Sequence, residues 1–210
     1  ARNPYKVWRY HPRDGNNDSS ITGWMVMALK SAKDFDFNVD KKAFEYARAW
    51  YDEVSDPSTG QAGYTKRGEG SAREPQLADR FPAEKTEAMT AVGLLTRIFL
   101  GDTPDDNPML LQAADTMLKR PPTWNESDGS IDLYYWYYAT YAIFQMGGRH
   151  WKAWKGHLNK ALVKTQCPKG NSKGSWDPVG AWGESGGRVY STALSALTLQ
   201  AYFRYTRLLR

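Results

Sequence analysis

The chain has 210 residues, which is enough for one large domain or two small ones with a sizeable buried core. Its 28 basic and 23 acidic residues give a net charge of +5, which permits an anionic partner without requiring one. The single cysteine excludes an intrachain disulfide, and the 9 tryptophans, 13 tyrosines and 7 phenylalanines exclude a wholly disordered chain.

Hydrophobic periodicity predicts a series of helices along the chain. In chain order they cover residues 18–32, 41–54, 84–100, 108–118, 131–146, 151–166 and 188–209. The first, third, fifth and seventh are rich in small residues and share a threonine. These threonines are separated by 68, 50 and 52 residues, and they are Thr22, Thr90, Thr140 and Thr192. Such a spacing leaves room for a repeat of two helices with their loops.

The helices differ in how much of their surface is apolar. The four helices that contain the threonine carry small side chains that allow close approach, so we expect them to be inner helices, buried on most sides. The other three carry large apolar residues every three or four positions, which is typical of outer helices with one exposed face. The sequence therefore predicts an all-α fold of about seven helices that alternate between inner and outer positions.

Basic residues cluster on the third outer helix. They are interleaved with Trp151, Trp154 and Leu158, and they are Arg149, Lys152, Lys155, Lys160 and Lys164. We interpret them as the solvated face of an amphipathic helix in preference to a nucleic-acid or lipid-headgroup site, and we expect no nucleic-acid partner because no DNA- or RNA-binding motif accompanies them. No stretch approaches the ~18 apolar residues that a membrane span needs, so no span is predicted.

Two long segments, residues 55–82 and 167–187, are rich in glycine, proline and serine. Both contain aromatic residues that favour burial, so we predict that they are loops within one domain over residues 1–210 and not linkers. The sequence begins at Ala1 without an initiator methionine or an apolar signal segment, and we expect it to be a portion of a longer protein with other domains.

The second of these loops contains the string TQCPKGNSKGSWDP, with Gln166, Gly174 and Trp176. It resembles the Gln-Trp repeat of squalene and oxidosqualene cyclases, in which the glutamine caps an outer helix and stacks on the tryptophan that precedes the next helix. Residues 169–173 lengthen the gap here. Together with the four inner helices and the terminal GGRVYSTALSALTLQAYFRY, this loop makes the chain similar to the prenyltransferase and squalene-oxidase repeat superfamily.

The resemblance implies an α/α toroid. Seven helices are fewer than a closed ring of this superfamily has, so we expect a partial or open toroid, or one completed by residues outside this chain. The known catalytic motifs are missing: there is no DxDD motif, no Cys-Gly-Glu-Gln string, and residues 102–106 are typical of a turn with a helix cap. Cys167 shows no zinc-ligand spacing with the histidines, which are His11, His150 and His157, so we expect no metal and no other cofactor.

An aromatic run at residues 134–138, on the third inner helix, is the main candidate for ligand binding. Aromatic rings surround nearly the whole helix there, so some must face a cavity whichever way the helix is turned. Plain core packing is the simpler interpretation, and it stays open beside contact with an apolar or cationic ligand. The predicted ligand-binding residues are Tyr134, Tyr135, Trp136, Tyr138, Trp182 and Tyr190.

Asp132 directly precedes this aromatic run, at the expected mouth of the cavity. It could cap the helix, or it could act as a general acid with Glu184 or Arg188, at the start of the next inner helix, as its partner. We therefore expect a domain that binds an apolar isoprenoid-like ligand, a polysaccharide or a protein segment. The alternative is a terpenoid cyclase-like or carbohydrate-active lyase or glycosidase that uses these three residues as its catalytic set.

Overall fold

The computed structural model describes Asn3, residues 7–204 and residues 208–209. Within these residues the fold is all-α, and only an isolated bridge between Ser55 and Ala62 has β character. The seven α-helices described are α1 (Ser19–Asp34), α2 (Lys41–Val54), α3 (Ala88–Phe99), α4 (Met109–Leu118), α5 (Leu133–Met146), α6 (Gly148–Leu162) and α7 (Gly183–Arg204). The prediction of an all-α fold with about seven helices is confirmed.

The chain divides into two compact units. Unit 1 consists of Ala1–Ser71 and Met89–Thr116, and unit 2 consists of Ala72–Ala88 and Met117–Arg210. Helices α1 and α2 and most of α3 and α4 belong to unit 1, whereas α5, α6 and α7 belong to unit 2. In the part of the chain that is described, no helix is long and apolar enough to cross a membrane.

In unit 1 the helices approach one another through small residues. Helices α1 and α2 lie side by side, and the Tyr51 hydroxyl of α2 donates a 2.7 Å hydrogen bond to the Ser19 carbonyl at the start of α1. Gly23 of α1 faces α3, where a Cβ in its place would lie 2.5 Å from Cγ1 of Val92. The close approach of α1 and α3 therefore depends on the missing side chain.

Helix α5 lies between its neighbours in unit 2, because α6 and α7 both pack against it. Eleven of its 14 residues are buried. Helix α6 buries only one face, and Trp154 on that face donates a 2.9 Å hydrogen bond from Nε1 to Thr140 of α5. The expected contrast between a helix buried on most sides and a half-exposed partner is present in this pair.

The loop between α6 and α7 is held by Trp176. Its indole Nε1 donates a 2.8 Å hydrogen bond to the carbonyl of Leu162, the last residue of α6, and its backbone N–H donates to Thr192 of α7 at 3.3 Å. Gln166 is exposed and donates from Nε2 to the Gly174 carbonyl at 2.9 Å. In this chain the tryptophan, rather than the glutamine, therefore satisfies a carbonyl at the end of the helix.

Helix α7 consists of two helical segments that meet at Gly187. A first turn over residues 183–186 precedes this glycine, whose φ of 63° and ψ of −170° are not helical, and the main segment begins at residue 188, the predicted start. Glycine adopts a positive φ without steric cost, so the chain can kink at this residue. The kink separates Trp182 and Glu184 from the main body of α7.

Candidate ligand-binding site

Asp132 occupies the N-cap position of α5 and is 2% exposed. One carboxylate oxygen, Oδ1, accepts a 3.0 Å hydrogen bond from the backbone N–H of Tyr135. The other, Oδ2, accepts a 2.8 Å hydrogen bond from Nη2 of Arg73. Asp132 is therefore both a helix cap and one half of a buried ion pair.

Arg73 lies in the loop that precedes the first short 3-10 helix, Pro75–Leu77, and its side chain is 6% exposed. Besides the ion pair, its Nε donates to the Phe81 carbonyl at 3.0 Å and its Nη1 to the Ala72 carbonyl at 3.1 Å. The guanidinium thus fixes its own loop against the N-terminal end of α5. A buried charge needs a partner of this kind, because an unpaired one would lose the hydration that it has in water.

Glu184 and Arg188, the partners predicted for Asp132, form ion pairs with other residues. Glu184 accepts a 3.1 Å hydrogen bond from Arg80, and both side chains are largely exposed. Arg188 pairs with Asp177 and also donates to the Ser175 hydroxyl at 2.9 Å. The structure therefore brings neither of them into a described contact with Asp132, and the role of a catalytic set stays a prediction.

Trp182 lies beside this ion pair, with its ring centroid 5.9 Å from the guanidinium carbon of Arg73. Its indole Nε1 is buried, and so is the hydroxyl of Tyr190 on α7. Neither atom has a hydrogen-bond partner among the described residues. Two buried donors at this end of unit 2 thus lack an acceptor in the described part of the chain.

The Tyr190 hydroxyl remains protonated. Burial is the largest cause that raises its pKa, and the charge of Asp132 raises it further, while Arg73 opposes the shift. A protonated phenol can donate a hydrogen bond to an oxygen or nitrogen of a ligand. Because both side chains act on this pKa, the hydroxyl is within electrostatic reach of the ion pair.

The aromatic run of α5 is divided between two faces. Tyr134 and Tyr138 are in contact, with ring centroids 4.7 Å apart, and Tyr137 contacts Tyr138 at 5.1 Å and Tyr141 at 4.9 Å. Helix α7, which carries Tyr190, packs against α5, and Tyr138 is one of the groups that raise the pKa of the Tyr190 hydroxyl. The rings of Tyr134, Tyr138, Trp182 and Tyr190 are called the aromatic cluster below.

Tyr135 and Trp136 belong to the opposite face and are almost completely buried. The Tyr135 hydroxyl donates to the carbonyl of Arg120 at 3.0 Å and to that of Met117 at 3.2 Å. The Trp136 ring packs on Trp124, with centroids 6.2 Å apart. These contacts give both residues a role in core packing, and their predicted role in ligand binding is untested.

Unit 1 contains a second buried cap carboxylate, Asp18, at the start of α1. Its Oδ1 accepts hydrogen bonds from the Ile21 backbone at 2.8 Å and from the Ser20 hydroxyl at 2.7 Å, while Oδ2 has no hydrogen-bond partner among the described residues. Burial raises the pKa of this carboxyl, and the charge of Arg9 opposes the shift only in part. Asp18 and Asp132 thus share one local role but differ in their charge partners.

A small pocket lies elsewhere in unit 1, between α3 and α4. Its volume is about 10 Å³, and Arg97, Ser55 and Gly60 are among the residues that line it. Arg97 is held by Asp52 at 2.8 Å and by Asp102 at 3.5 Å. A volume of this size holds about one water molecule, so this pocket is not a site for an organic ligand.

The sequence analysis did not identify Arg73 as a site residue, because Arg73 lies in a loop without periodicity, far along the chain from Asp132.

Among the described residues, no group of three or more His, Cys, Asp or Glu side chains could hold a metal ion. The chain matches no protein-family model, and no curated protein matches it. Function therefore has to be inferred from the site.

Proposed function

We propose that the chain is a squalene-cyclase-like α/α-toroid domain that binds an apolar or extended ligand at the aromatic cluster of unit 2. The observation that carries this proposal is the pair of buried donors, Trp182 Nε1 and Tyr190 OH, which have no acceptor among the described residues. Leaving a buried polar group unsatisfied costs about 1–3 kcal/mol. A ligand oxygen placed between the aromatic rings would recover part of this cost.

The composition of the aromatic cluster indicates the chemical class of the ligand. Ring faces provide apolar contact area, whereas the two unpartnered groups provide hydrogen bonds to an acceptor. The arrangement suits a molecule with a long apolar or extended body and at least one hydroxyl or carbonyl oxygen. An isoprenoid-like alcohol, a polysaccharide and an extended protein segment all meet this description.

Binding is better supported than acid catalysis by Asp132. A general acid must carry a proton before it can donate one. Both oxygens of Asp132 instead accept hydrogen bonds, from the backbone of Tyr135 and from the guanidinium of Arg73. This geometry suits a carboxylate that positions Arg73, and through it the loop next to Trp182.

Isothermal titration of the purified chain tests the proposal with three probes: farnesol, a soluble cello-oligosaccharide and a short unstructured apolar peptide. We expect one of them to bind, and we expect Tyr190→Phe to weaken that binding by about two- to tenfold, the value of one neutral hydrogen bond. Tyr46→Phe, the same change at a partly exposed tyrosine of unit 1, is the matched control and should leave binding unchanged. The proposal fails if none of the probes binds, or if Tyr190→Phe and Trp182→Phe both bind as tightly as the original chain.

A further inference from the structure

Helix α6 and the loop that follows it carry an exposed row of lysines. We call this row the basic face, and it consists of Lys152, Lys155, Lys160, Lys164, Lys169 and Lys173, all exposed. Three of them, Lys152, Lys155 and Lys160, lie on α6 at intervals that place them on one side of the helix, and Lys164 follows two residues after its end. A helix of 15 residues is about 22 Å long, so the charges are spread over an extended surface.

Acidic and basic residues are unevenly distributed along the chain, and the charged residues of the segment that contains α6 are all basic. Residues 133–176 contain seven basic residues and no aspartate or glutamate, whereas the whole chain has 28 basic and 23 acidic residues. The remaining residues, taken together, therefore carry a small net negative charge. The positive net charge of the protein comes from this one segment.

The orientation of the basic face is fixed by the packing of α6. Trp154, Leu158 and Leu162, on the other side of the helix, are 0% exposed. Turning the helix to hide its lysines would expose these side chains, and fully burying one large apolar side chain is worth about 1.5–3 kcal/mol. The lysines are thus held outward by the core of unit 2.

Acidic side chains in the described part of the chain leave several lysines of the basic face without a counter-charge. Lys152, Lys160 and Lys164 form no ion pair with any residue that the structure describes. Lys30 on α1, in contrast, pairs with Asp34 one turn further along its helix. Without acidic residues between positions 133 and 176, such pairing within α6 is impossible.

We propose that the basic face is a docking surface for an anionic lipid bilayer. Clusters of four to eight basic residues on one side of an amphipathic helix bind anionic headgroups, and each lysine near the surface adds about fivefold to the affinity. The side chains between the lysines on this side are small, at Ala153 and Gly156, and Val163 is 58% exposed. Short side chains between the lysines do not hinder several ammonium groups from reaching the headgroups at once.

Nucleic acid fits the same surface less well. Six of the seven basic residues of the segment are lysines, whereas paired hydrogen bonds to phosphates and bases favour arginine. The two tryptophans of α6 point away from the lysines: Trp154 is buried, and Trp151 packs on Phe144 with centroids 5.3 Å apart. The face therefore lacks the exposed aromatic rings on which single-stranded bases would stack.

Co-sedimentation with vesicles tests the proposal on the full chain. We expect binding to phosphatidylcholine vesicles that contain about one third phosphatidylserine, and none to phosphatidylcholine alone. Raising the salt concentration from about 0.05 M to about 0.5 M should release the protein, because exposed charges are then screened within a few ångströms. The triple variant Lys152→Gln, Lys160→Gln, Lys164→Gln should bind about a hundredfold more weakly.

A second triple variant, Lys41→Gln, Lys42→Gln, Lys119→Gln, removes the same net charge from exposed lysines outside the basic face and is the matched control. It should keep most of the vesicle binding. Equal losses in the two triple variants would show an effect of net charge alone and would overturn the proposal. So would the absence of binding at low salt, or tighter binding to a DNA duplex than to the anionic vesicles under the same conditions.

Discussion

Tyr190→Phe is the substitution that most directly examines the candidate site. It removes one buried oxygen, keeps the aromatic ring and adds no new group. The hydroxyl has no hydrogen-bond partner among the described residues, so its removal breaks no bond within that part of the protein. We therefore expect the variant to be at least as stable as the original chain in the absence of ligand.

The size of the expected change in stability follows from the free-energy cost of an unsatisfied hydroxyl, which is about 1–3 kcal/mol when such a group is fully buried. Tyr190 is only partly buried as a whole residue, so the lower end applies, and the free energy of unfolding should rise by up to about 1 kcal/mol. Tyr135→Phe provides the contrast. The hydroxyl of Tyr135 donates to two carbonyls, and its loss should lower the free energy of unfolding by about 1–2 kcal/mol.

Urea unfolding, followed by tryptophan fluorescence, measures both variants with one method. The difference in free energy is taken from the midpoints after checking that the slopes of the transitions agree. The reasoning is refuted if Tyr190→Phe destabilises the protein as much as Tyr135→Phe does. That result would mean that the Tyr190 hydroxyl already has an acceptor in solution, and the main support for a ligand at the aromatic cluster would be lost.

Three further predictions concern packing and charge, and urea unfolding measures each of them. Asp132→Asn keeps a capping side chain but leaves the buried Arg73 guanidinium without its counter-charge, so it should lower the free energy of unfolding by about 3–5 kcal/mol. Asp177→Asn, at an exposed ion pair, should lower it by less than about 1 kcal/mol. Equal losses in the two variants would contradict a buried ion pair. Gly23→Ala places a Cβ 2.5 Å from a neighbouring side chain and should lower the free energy of unfolding by about 1–3 kcal/mol. Gly156→Ala, in open space on α6, should raise it by about 0.5–1 kcal/mol. A change of the same sign in both variants would contradict the close approach of α1 and α3 at Gly23. Burial raises the pKa of Asp18, so its carboxyl favours the folded state only below its ordinary pKa and loses that contribution as the pH rises through the folded value. Asp18→Asn should therefore stabilise the protein at neutral pH, and this gain should shrink as the pH falls through the raised folded pKa and be lost below about 4.

Local signals predicted the helices well, because amphipathicity and capping depend on residues only a few positions apart. The buried face of α6 repeats Trp154, Leu158 and Leu162 at intervals of four, and Asp132 caps α5 where an acidic residue at a helix start was expected. The main segment of α7 begins directly after Gly187, at the predicted residue 188, whereas the short turn over residues 183–186 before this glycine is not apparent in the sequence pattern.

The site could be predicted only in part. Aromatic residues fill every position of the run on α5, so periodicity cannot distinguish a face that packs from one that contacts a ligand. The packing of α6 distinguishes the two faces. Trp154 contacts Tyr135 edge-on, with ring centroids 5.9 Å apart, and Tyr134 and Tyr138 lie on the other face. Arg73 could not be predicted at all, since nothing in its local sequence relates it to a carboxylate 59 positions further on.

The two unpartnered donors are not a sign of poor packing at this end of unit 2. Arg73, in the same place, has three acceptors for its guanidinium. The hydroxyls of Ser191 and Ser195 on α7 also lack partners within the described ranges, but a serine hydroxyl can reach a carbonyl of its own helix, as the Thr198 hydroxyl does at 2.6 Å. The ring donors of Trp182 and Tyr190 extend too far from the backbone for such a bond. Only a group from outside the described residues can satisfy them, and this supports the proposal that a ligand with an acceptor oxygen binds here.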